Sequence, residues 1–112
     1  WKLQMTMPDG GLFSTPAHIA EFAGAFLKED TVILNERSVT EMLTPQSAGY
    51  GLGWILDRPH QFSHWGSSGA LVWGDRRNQV VGVLFVQVQD RRMVSDLHDR
   101  FRDAVTIALT SQ

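Results

Sequence analysis

Three short apolar runs separated by turn residues constrain the fold more than any other feature of this chain. The runs are QFSHW (61–65), ALVWG (70–74) and VVGVLFVQV (80–88). The five residues between the second and third runs (75–79) have a length typical of a β-hairpin loop. The third run is apolar on both faces, as expected of a central strand that helices cover on both sides. The pattern therefore predicts strands joined by hairpins, which is an antiparallel sheet.

A fourth strand is predicted over YGLGWIL (50–56), where large and small residues alternate. Gly51 and Gly53 fall on the same predicted face. A strand with a glycine face usually lets another element approach closely.

Three further segments have the apolar spacing of amphipathic helices; they cover about 16–29, 36–43 and 95–109. Thr15, Asn35 and Ser95 stand where N-cap residues are expected, and Pro16 suits the first helical position. Helices and hairpins follow one another without strand–helix–strand crossovers. The order predicts an α+β fold, with helices packed on an antiparallel sheet.

Length and composition narrow the class of protein. A chain of 112 residues is near the common domain size, so we expect one domain over 1–112. The net charge is −2 with both signs interspersed, which argues against nucleic acid as a partner. No apolar run approaches about 18 residues, so no membrane span is expected. The absence of cysteine excludes disulfides and a thiol nucleophile. The sequence contains no signal-peptide pattern and leaves the localisation open.

The serines around His64 invite a Ser-His-Asp interpretation. Ser63 and His64 are adjacent, and neighbours in a strand point to opposite faces, so they are not expected to form a nucleophile–base pair. Ser67 or Ser68 could reach His64 across the turn, with Asp75 as a distant orienting group. Nothing in the sequence enforces that geometry, and serines that serve the turn are the simpler interpretation.

No metal or other cofactor is predicted. The four histidines, His18, His60, His64 and His98, fall in separate segments, and no metal-binding motif joins them. His18 and His98 lie among polar neighbours and are expected to be exposed. A single histidine on a strand such as His64 is more often structural than catalytic.

Several segments in order resemble a known superfamily. They are GGLFSTPAHIAEF (10–22), ILNERSVTEMLTPQ (33–46), YGLGWIL (50–56), FSHWGSSGALVWGDRRNQVVGVLFVQV (62–88) and the closing amphipathic helix. Together they resemble the C-terminal part of the serine β-lactamase and penicillin-binding-protein superfamily. The resemblance is strongest to its class C-type branch, which includes esterases and D-amino-acid peptidases. It implies an antiparallel sheet flanked by helices.

The resemblance also implies a site. His64-Trp65-Gly66 matches the third motif of this branch, His-x-Gly, on the strand that edges the active site. By that match His64 would point into the cleft, Gly66 would leave room for substrate, and the backbone N–H of Ser67 would donate to an oxyanion. The other positions expected to contact substrate are Trp65, Ser68 and Gly69.

Two motifs of the family are missing. No serine in the chain is followed by x-x-Lys, and Tyr50 is followed by Gly-Leu, so Tyr-x-Asn is absent too. We therefore expect a C-terminal fragment of a serine hydrolase that acts on a small-molecule or peptide-like substrate, and that is inactive alone. Strand 80–88 would then have an open edge, which predicts a homodimer or a separately supplied N-terminal segment. The alternative is a non-catalytic module of the same fold that binds a peptide or another partner.

Overall fold

The computed structural model describes residues 10–28 and 32–111, and it confirms the α+β class. In chain order the elements are α1 (Pro16–Gly24), α2 (Glu36–Met42), β1 (Gln61–Trp65), β2 (Leu71–Asp75), β3 (Val80–Leu84) and α3 (Arg91–Thr110). None of the helices in these two ranges is long and apolar enough to cross a membrane.

The sheet is antiparallel, with the strand order β1-β2-β3. Its register places His64 opposite Val72, and Val72 opposite Val83. β3 ends at Leu84 rather than at residue 88 as predicted. Beyond Leu84 the chain still runs beside the loop between β1 and β2, where the backbone N–H of Val88 donates to the carbonyl of Ser68 at 2.8 Å.

β3 is an edge strand of the described sheet, although its apolar pattern predicted a central one. Helices nevertheless cover both of its faces, as the pattern required. Val81 packs against the core cluster that contains α1 residues, while Phe101 of α3 lies against Gly82 on the other face. No described strand pairs with the outer edge of β3, so its backbone groups on that side have no strand partner in this part of the chain.

The prediction of a continuous strand over 50–56 is wrong. The backbone turns here because the N–H of Gly51 donates to the carbonyl of Trp54 at 2.9 Å, and Gly53 adopts a positive φ of 78°. Only isolated bridges remain, and the one between Ile55 and Ser63 ties the segment to β1. The glycines that suggested a smooth strand face in fact permit a tight turn.

The predicted caps of the first two helices are confirmed. Thr15 Oγ1 accepts from the N–H of His18 at 3.3 Å, and Asn35 Oδ1 accepts from the N–H of Ser38 at 2.9 Å. Each bond satisfies one of the donors that a helix leaves free at its start. α1 ends at Gly24, earlier than the predicted residue 29.

α3 begins before the predicted Ser95, because Asp90 is its N-cap. Asp90 Oδ1 accepts from the N–H of Arg92 at 2.9 Å. The apolar spacing of this helix predicts an inward stripe of Leu97, Phe101, Ala104, Val105 and Ala108, but none of these five residues is fully buried. Its buried residues are Val94, His98 and Arg102. The expectation that His98 is exposed is therefore wrong, whereas His18 is exposed as expected.

Aromatic side chains form the core on the α1 side of the sheet. Trp54 meets Phe26 and Phe62 edge to face, with ring centroids 5.0 and 4.8 Å apart. Edge-to-face pairs at this spacing add to the stabilisation that burial alone provides. The buried members of this cluster are Ala23, Phe26, Val39, Trp54 and Phe62. α1, α2 and the 51–54 turn therefore share one core with β1.

Two glycines in the sheet make room for aromatic rings. A Cβ placed on Gly74 would lie 2.2 Å from the ring of Phe62, its neighbour across the strands. A Cβ on Gly82 would lie 2.9 Å from the rings of both Trp73 and Phe101. A side chain at either position would overlap these rings. Each glycine therefore allows the helices on one face to pack closely against the sheet.

Asp75 organises the hairpin between β2 and β3. Its carboxylate accepts from the N–H groups of Arg77 and Asn78 at 2.9 and 3.1 Å, and from the side chains of Asn78 and Gln61 at 2.9 and 3.2 Å. Burial acts to raise the pKa of Asp75, but the hydrogen bonds from Asn78, Arg77 and Gln61 together hold it below its usual value. The ionised carboxylate is therefore part of the folded hairpin.

Replacing Gly74 by alanine should destabilise the fold. The new methyl group would overlap the buried ring of Phe62, and overpacking of this kind costs about 1–3 kcal/mol. Urea unfolding of the variant Gly74→Ala measures the loss. Gly24→Ala is the matched control, because a Cβ there meets no atom within 4 Å. The packing argument fails if both variants unfold at the same urea concentration.

Asp75→Asn should weaken the fold most at neutral pH. The asparagine amide would face the donors of Asn78 and Gln61, with a loss of about 1–3 kcal/mol. Because the native pKa of Asp75 is lowered, its contribution is present above the unfolded pKa of about 4 and disappears as the pH falls through the native value. The difference between wild type and variant in unfolding free energy should therefore shrink on acidification. Asp103→Asn, at an exposed position of α3, is the matched control and should change the free energy of unfolding at neutral pH by less than about 0.5 kcal/mol.

Candidate functional site

The loop between β1 and β2 carries most of the predicted site residues. Gly66 donates its N–H to the carbonyl of Ala70 at 2.9 Å, and Gly69 donates to the carbonyl of Gly66 at 3.0 Å. The two residues at the centre of this turn, Ser67 and Ser68, donate their backbone N–H groups to no described residue. The turn therefore has two N–H groups without a described partner, on exposed residues just after β1.

His64 lies on the exposed end of β1, two residues before the turn. It lines a shallow groove of about 260 Å³ together with Ile19 of α1, Gly66 and Phe85. Within the described ranges the imidazole makes no hydrogen bond, so its ring is accessible from the groove. The structure thus brings His64 and Gly66 to one surface with mostly apolar walls.

The described residues do not form a Ser-His-Asp arrangement. Ser63 is buried on the face of β1 that α3 covers, whereas His64 is exposed on the opposite face, as the alternation of a strand requires. The hydroxyls of Ser67 and Ser68 make no hydrogen bond with His64. Asp75 lies at the other end of β2, where its carboxylate is occupied by the hairpin.

Trp65 and Gly69 occupy different surroundings from His64. Trp65 lines the groove but also borders a second cavity, beneath α3. Gly69 is buried with a positive φ of 99°, and a Cβ there would lie 2.8 Å from Val86. Its carbonyl accepts from Nε2 of His98 at 2.7 Å. Since a carbonyl can only accept, this nitrogen carries the proton, and His98 holds the turn onto α3.

Sequence reasoning missed the cavity beneath α3. It has a volume of about 180 Å³ and lies between β1 and the first half of α3. Ser63 and Arg102, both buried, line it. The available signal was the spacing of Val94, His98 and Arg102, which places them on one helix face. That spacing alone does not reveal which polar side chains become buried.

Arg102 has only a long ion pair within the described chain. Its Nη1 lies 3.7 Å from Oδ2 of Asp57, which is half exposed. Burial lowers the pKa of Arg102, and the nearby carboxylate of Asp57 opposes that shift. Neither the Nε of Arg102 nor the Oγ of Ser63 has a hydrogen-bond partner in the described structure. Two residues that line this cavity therefore each have a buried polar atom without a described partner.

No group of three or more His, Asp or Glu side chains in residues 10–28 and 32–111 is arranged to hold a metal ion. His60, His64 and His98 lie in separate parts of the fold, on a turn, on β1 and on α3.

Comparison with known families places this geometry in context. A family model described as Beta-lactamase matches residues 1–106. No curated protein and no solved structure matches the chain. The family match covers nearly the whole chain and agrees with the resemblance carried by its motifs, the hairpins and the helices that flank them. The chain therefore belongs to the beta-lactamase family.

Proposed function

We propose that the chain supplies the third-motif part of the active site in a serine hydrolase of this family. Such an enzyme would cleave esters, amides or β-lactams through an acyl-enzyme. One observation carries the proposal: an exposed His64-Trp65-Gly66 segment runs directly into a turn whose two central N–H groups bond no described residue. We place the chain in the class C-type branch, because the motif is His-x-Gly.

The turn would act on the reacting carbonyl. The N–H of Ser67 is proposed as one donor of the oxyanion hole, where a single donor contributes roughly 2.7–4 kcal/mol of transition-state stabilisation. His64 would position the substrate or the acid–base network from the groove. Gly66 would leave space for substrate along the strand, since a Cβ there would meet only Ala70, at 3.9 Å.

The remaining proposed positions support this turn. Ser68 lies at its exposed centre and Trp65 forms part of the groove wall. Gly69 is buried behind them, where its bond from His98 would keep the turn in place. We propose that Trp65 and Ser68 contact substrate. Gly69 would contribute to substrate binding indirectly, by holding the turn in place.

The nucleophile would come from outside these 112 residues. The sequence contains neither Ser-x-x-Lys nor Tyr-x-Asn. We therefore propose that the chain is the C-terminal portion of a larger catalytic domain, and that it is inactive alone. No cofactor enters this reaction, because an activated serine attacks the carbonyl directly.

The outer edge of β3 is the proposed attachment surface for the rest of such a domain, or for a second copy. Strand edges present rows of N–H and C=O groups that pair readily with another strand. Phe85, directly after β3, is 47% exposed and extends the apolar surface at this edge. We propose that the edge binds a second copy or an N-terminal segment.

A non-catalytic binding module is the second candidate, and one observation favours it. Leu12 and Phe13 are 94% and 86% exposed, and they border a groove of about 560 Å³ that Phe85 also lines. An exposed apolar surface of this kind is typical of a site for a peptide or another protein. In that case the β1–β2 turn would have no catalytic role.

Hydrolysis assays test the proposed function. The 112-residue chain should not turn over a nitrophenyl ester or a chromogenic cephalosporin. A longer polypeptide in which Ser-x-x-Lys and Tyr-x-Asn precede it should hydrolyse at least one of them. His64→Ala in that polypeptide should lower kcat/KM, whereas His18→Ala, an exposed histidine outside the site, should not.

Two results would contradict the proposal. One is turnover by the 112 residues that is lost in Ser67→Ala or Ser68→Ala, since the nucleophile would then lie in this chain. The other is a longer polypeptide that carries both motifs and hydrolyses neither substrate, which would favour the binding module.

Association through β3 should be visible by sedimentation. We expect the chain to form a dimer at micromolar concentration, or to bind an added N-terminal segment. Phe85→Lys should weaken this association, because a charge at the end of an edge strand opposes pairing. Met93→Lys places the same charge on an exposed position of α3 and should not. A monodisperse monomer that binds no such segment would overturn the proposal.

A further inference from the structure

His98 is the buried side chain that joins α3 to the β1–β2 turn. It is 7% exposed, and its Nε2 donates to the carbonyl of Gly69 at 2.7 Å. Every other hydrogen bond described for the backbone of residues 66–69 joins two backbone groups. Within residues 10–28 and 32–111, His98 is therefore the one side chain that bonds the backbone of this turn.

The direction of the Ser67 N–H follows from the geometry of the peptide that carries it. In a trans peptide the carbonyl and the N–H of the next residue point in opposite directions, and the described chain has no cis peptide. The carbonyl of Gly66 accepts from the N–H of Gly69 at 3.0 Å, inside the turn. The N–H of Ser67, on the same peptide as that carbonyl, therefore points out of the turn.

Gly69 is consequently the residue on which this direction depends, and it is held at both of its peptides. Before it, the carbonyl of Ser68 accepts from the N–H of Val88 at 2.8 Å, which leaves the N–H of Gly69 to point the other way, toward Gly66. After it, the carbonyl of Gly69 accepts from His98. The first of these bonds is made by backbone alone, so the second is the one that a side chain controls.

Glycine at this position makes the bond from His98 important. Gly69 has a positive φ of 99°, and glycine has more conformational freedom than any other residue. Without the bond from α3, rotation at Gly69 would carry its N–H away from the carbonyl of Gly66. The peptide of Ser67 would then lose its fixed direction. A displacement of about 1 Å in a catalytic group can cost about a hundredfold in rate.

We propose that His98 is a positioning residue for the oxyanion hole. By fixing Gly69 from α3, it sets the direction of the Ser67 N–H without contacting substrate itself. This inference rests on the proposed function, in which that N–H is an oxyanion donor. It extends the site from the exposed turn to a buried residue of α3.

Two amide variants of His98 differ only in reach. His98→Gln places an N–H donor at the end of a side chain long enough to bond Gly69, whereas His98→Asn carries the same amide one methylene nearer to the helix. In the 112-residue chain, the Gly69 amide should exchange with deuterium roughly tenfold faster in His98→Asn, relative to the amides of β2. In His98→Gln this ratio should stay close to that of wild type. Because the β2 amides report any loss of global stability, the ratio isolates the turn.

A second measurement needs no variant and decides the matter even where His98→Asn does not fold. The Nε2-bound proton of His98 should be visible by NMR in the wild-type chain, protected from exchange with water, and should show a nuclear Overhauser contact with Gly69. Absence of that contact, or equal exchange ratios in wild type and both variants, would overturn the inference.

Kinetics of the longer polypeptide test the catalytic consequence. His98→Asn should lower kcat per folded molecule about ten- to a hundredfold with KM nearly unchanged, because an oxyanion donor acts on the transition state. His98→Gln should recover most of the loss. Phe101→Leu is the matched control, since it weakens the packing of α3 on Gly82, away from the turn, and should leave kcat unchanged.

The two possible failures are distinguishable. An active polypeptide with the same kcat in wild type and His98→Asn would overturn the role of His98 and leave the proposed function intact. A polypeptide that hydrolyses neither substrate would contradict the proposed function, and the catalytic role of His98 would fall with it whatever the exchange ratios show.

Discussion

The fit of an aromatic ring over a glycine in the neighbouring strand is the constraint on which this structure depends. Phe62 lies over Gly74 on one face of the sheet, and Trp73 lies over Gly82 on the other. The first contact brings the core of α1 and α2 onto the sheet, and the second lets Phe101 of α3 approach it. Each ring fits over its glycine only in the observed strand register, and the two rings lie on opposite faces of the sheet. The register of all three strands therefore depends on helix packing on both faces.

That register also decides the position of the candidate sites. With Phe62 in the core, alternation directs Ser63 toward α3, and His64 is exposed beside Ile19 of α1. The turn that follows is held by His98 on one side and by Val88 on the other. β1 therefore contributes to an open groove on one face and to a partly open cavity on the other.

Much of the architecture was predictable because it rests on local signals. Caps such as Thr15 and Asn35 act within three residues, and hairpins depend on short loops between apolar runs. The sequence-based predictions failed where one local pattern is compatible with two different structures. The glycines of 50–56 suit both a close-packed strand and a turn, and only the bond from Gly51 to Trp54 shows that the chain turns. Asp90 and Ser95 are both good caps, and the earlier one begins α3.

The sequence by itself determined the α+β class, the hairpins, the opposite orientation of Ser63 and His64, and the absence of Ser-x-x-Lys. These depend on composition, on periodicity and on neighbours along the chain. Only the tertiary structure decided that His98 and Arg102 are buried, and that neither the Nε of Arg102 nor the Oγ of Ser63 has a described hydrogen-bond partner. The physical reason is the distance of their partners: His98 is satisfied by a carbonyl 29 residues away, and such a bond exists only once the sheet and α3 have packed together.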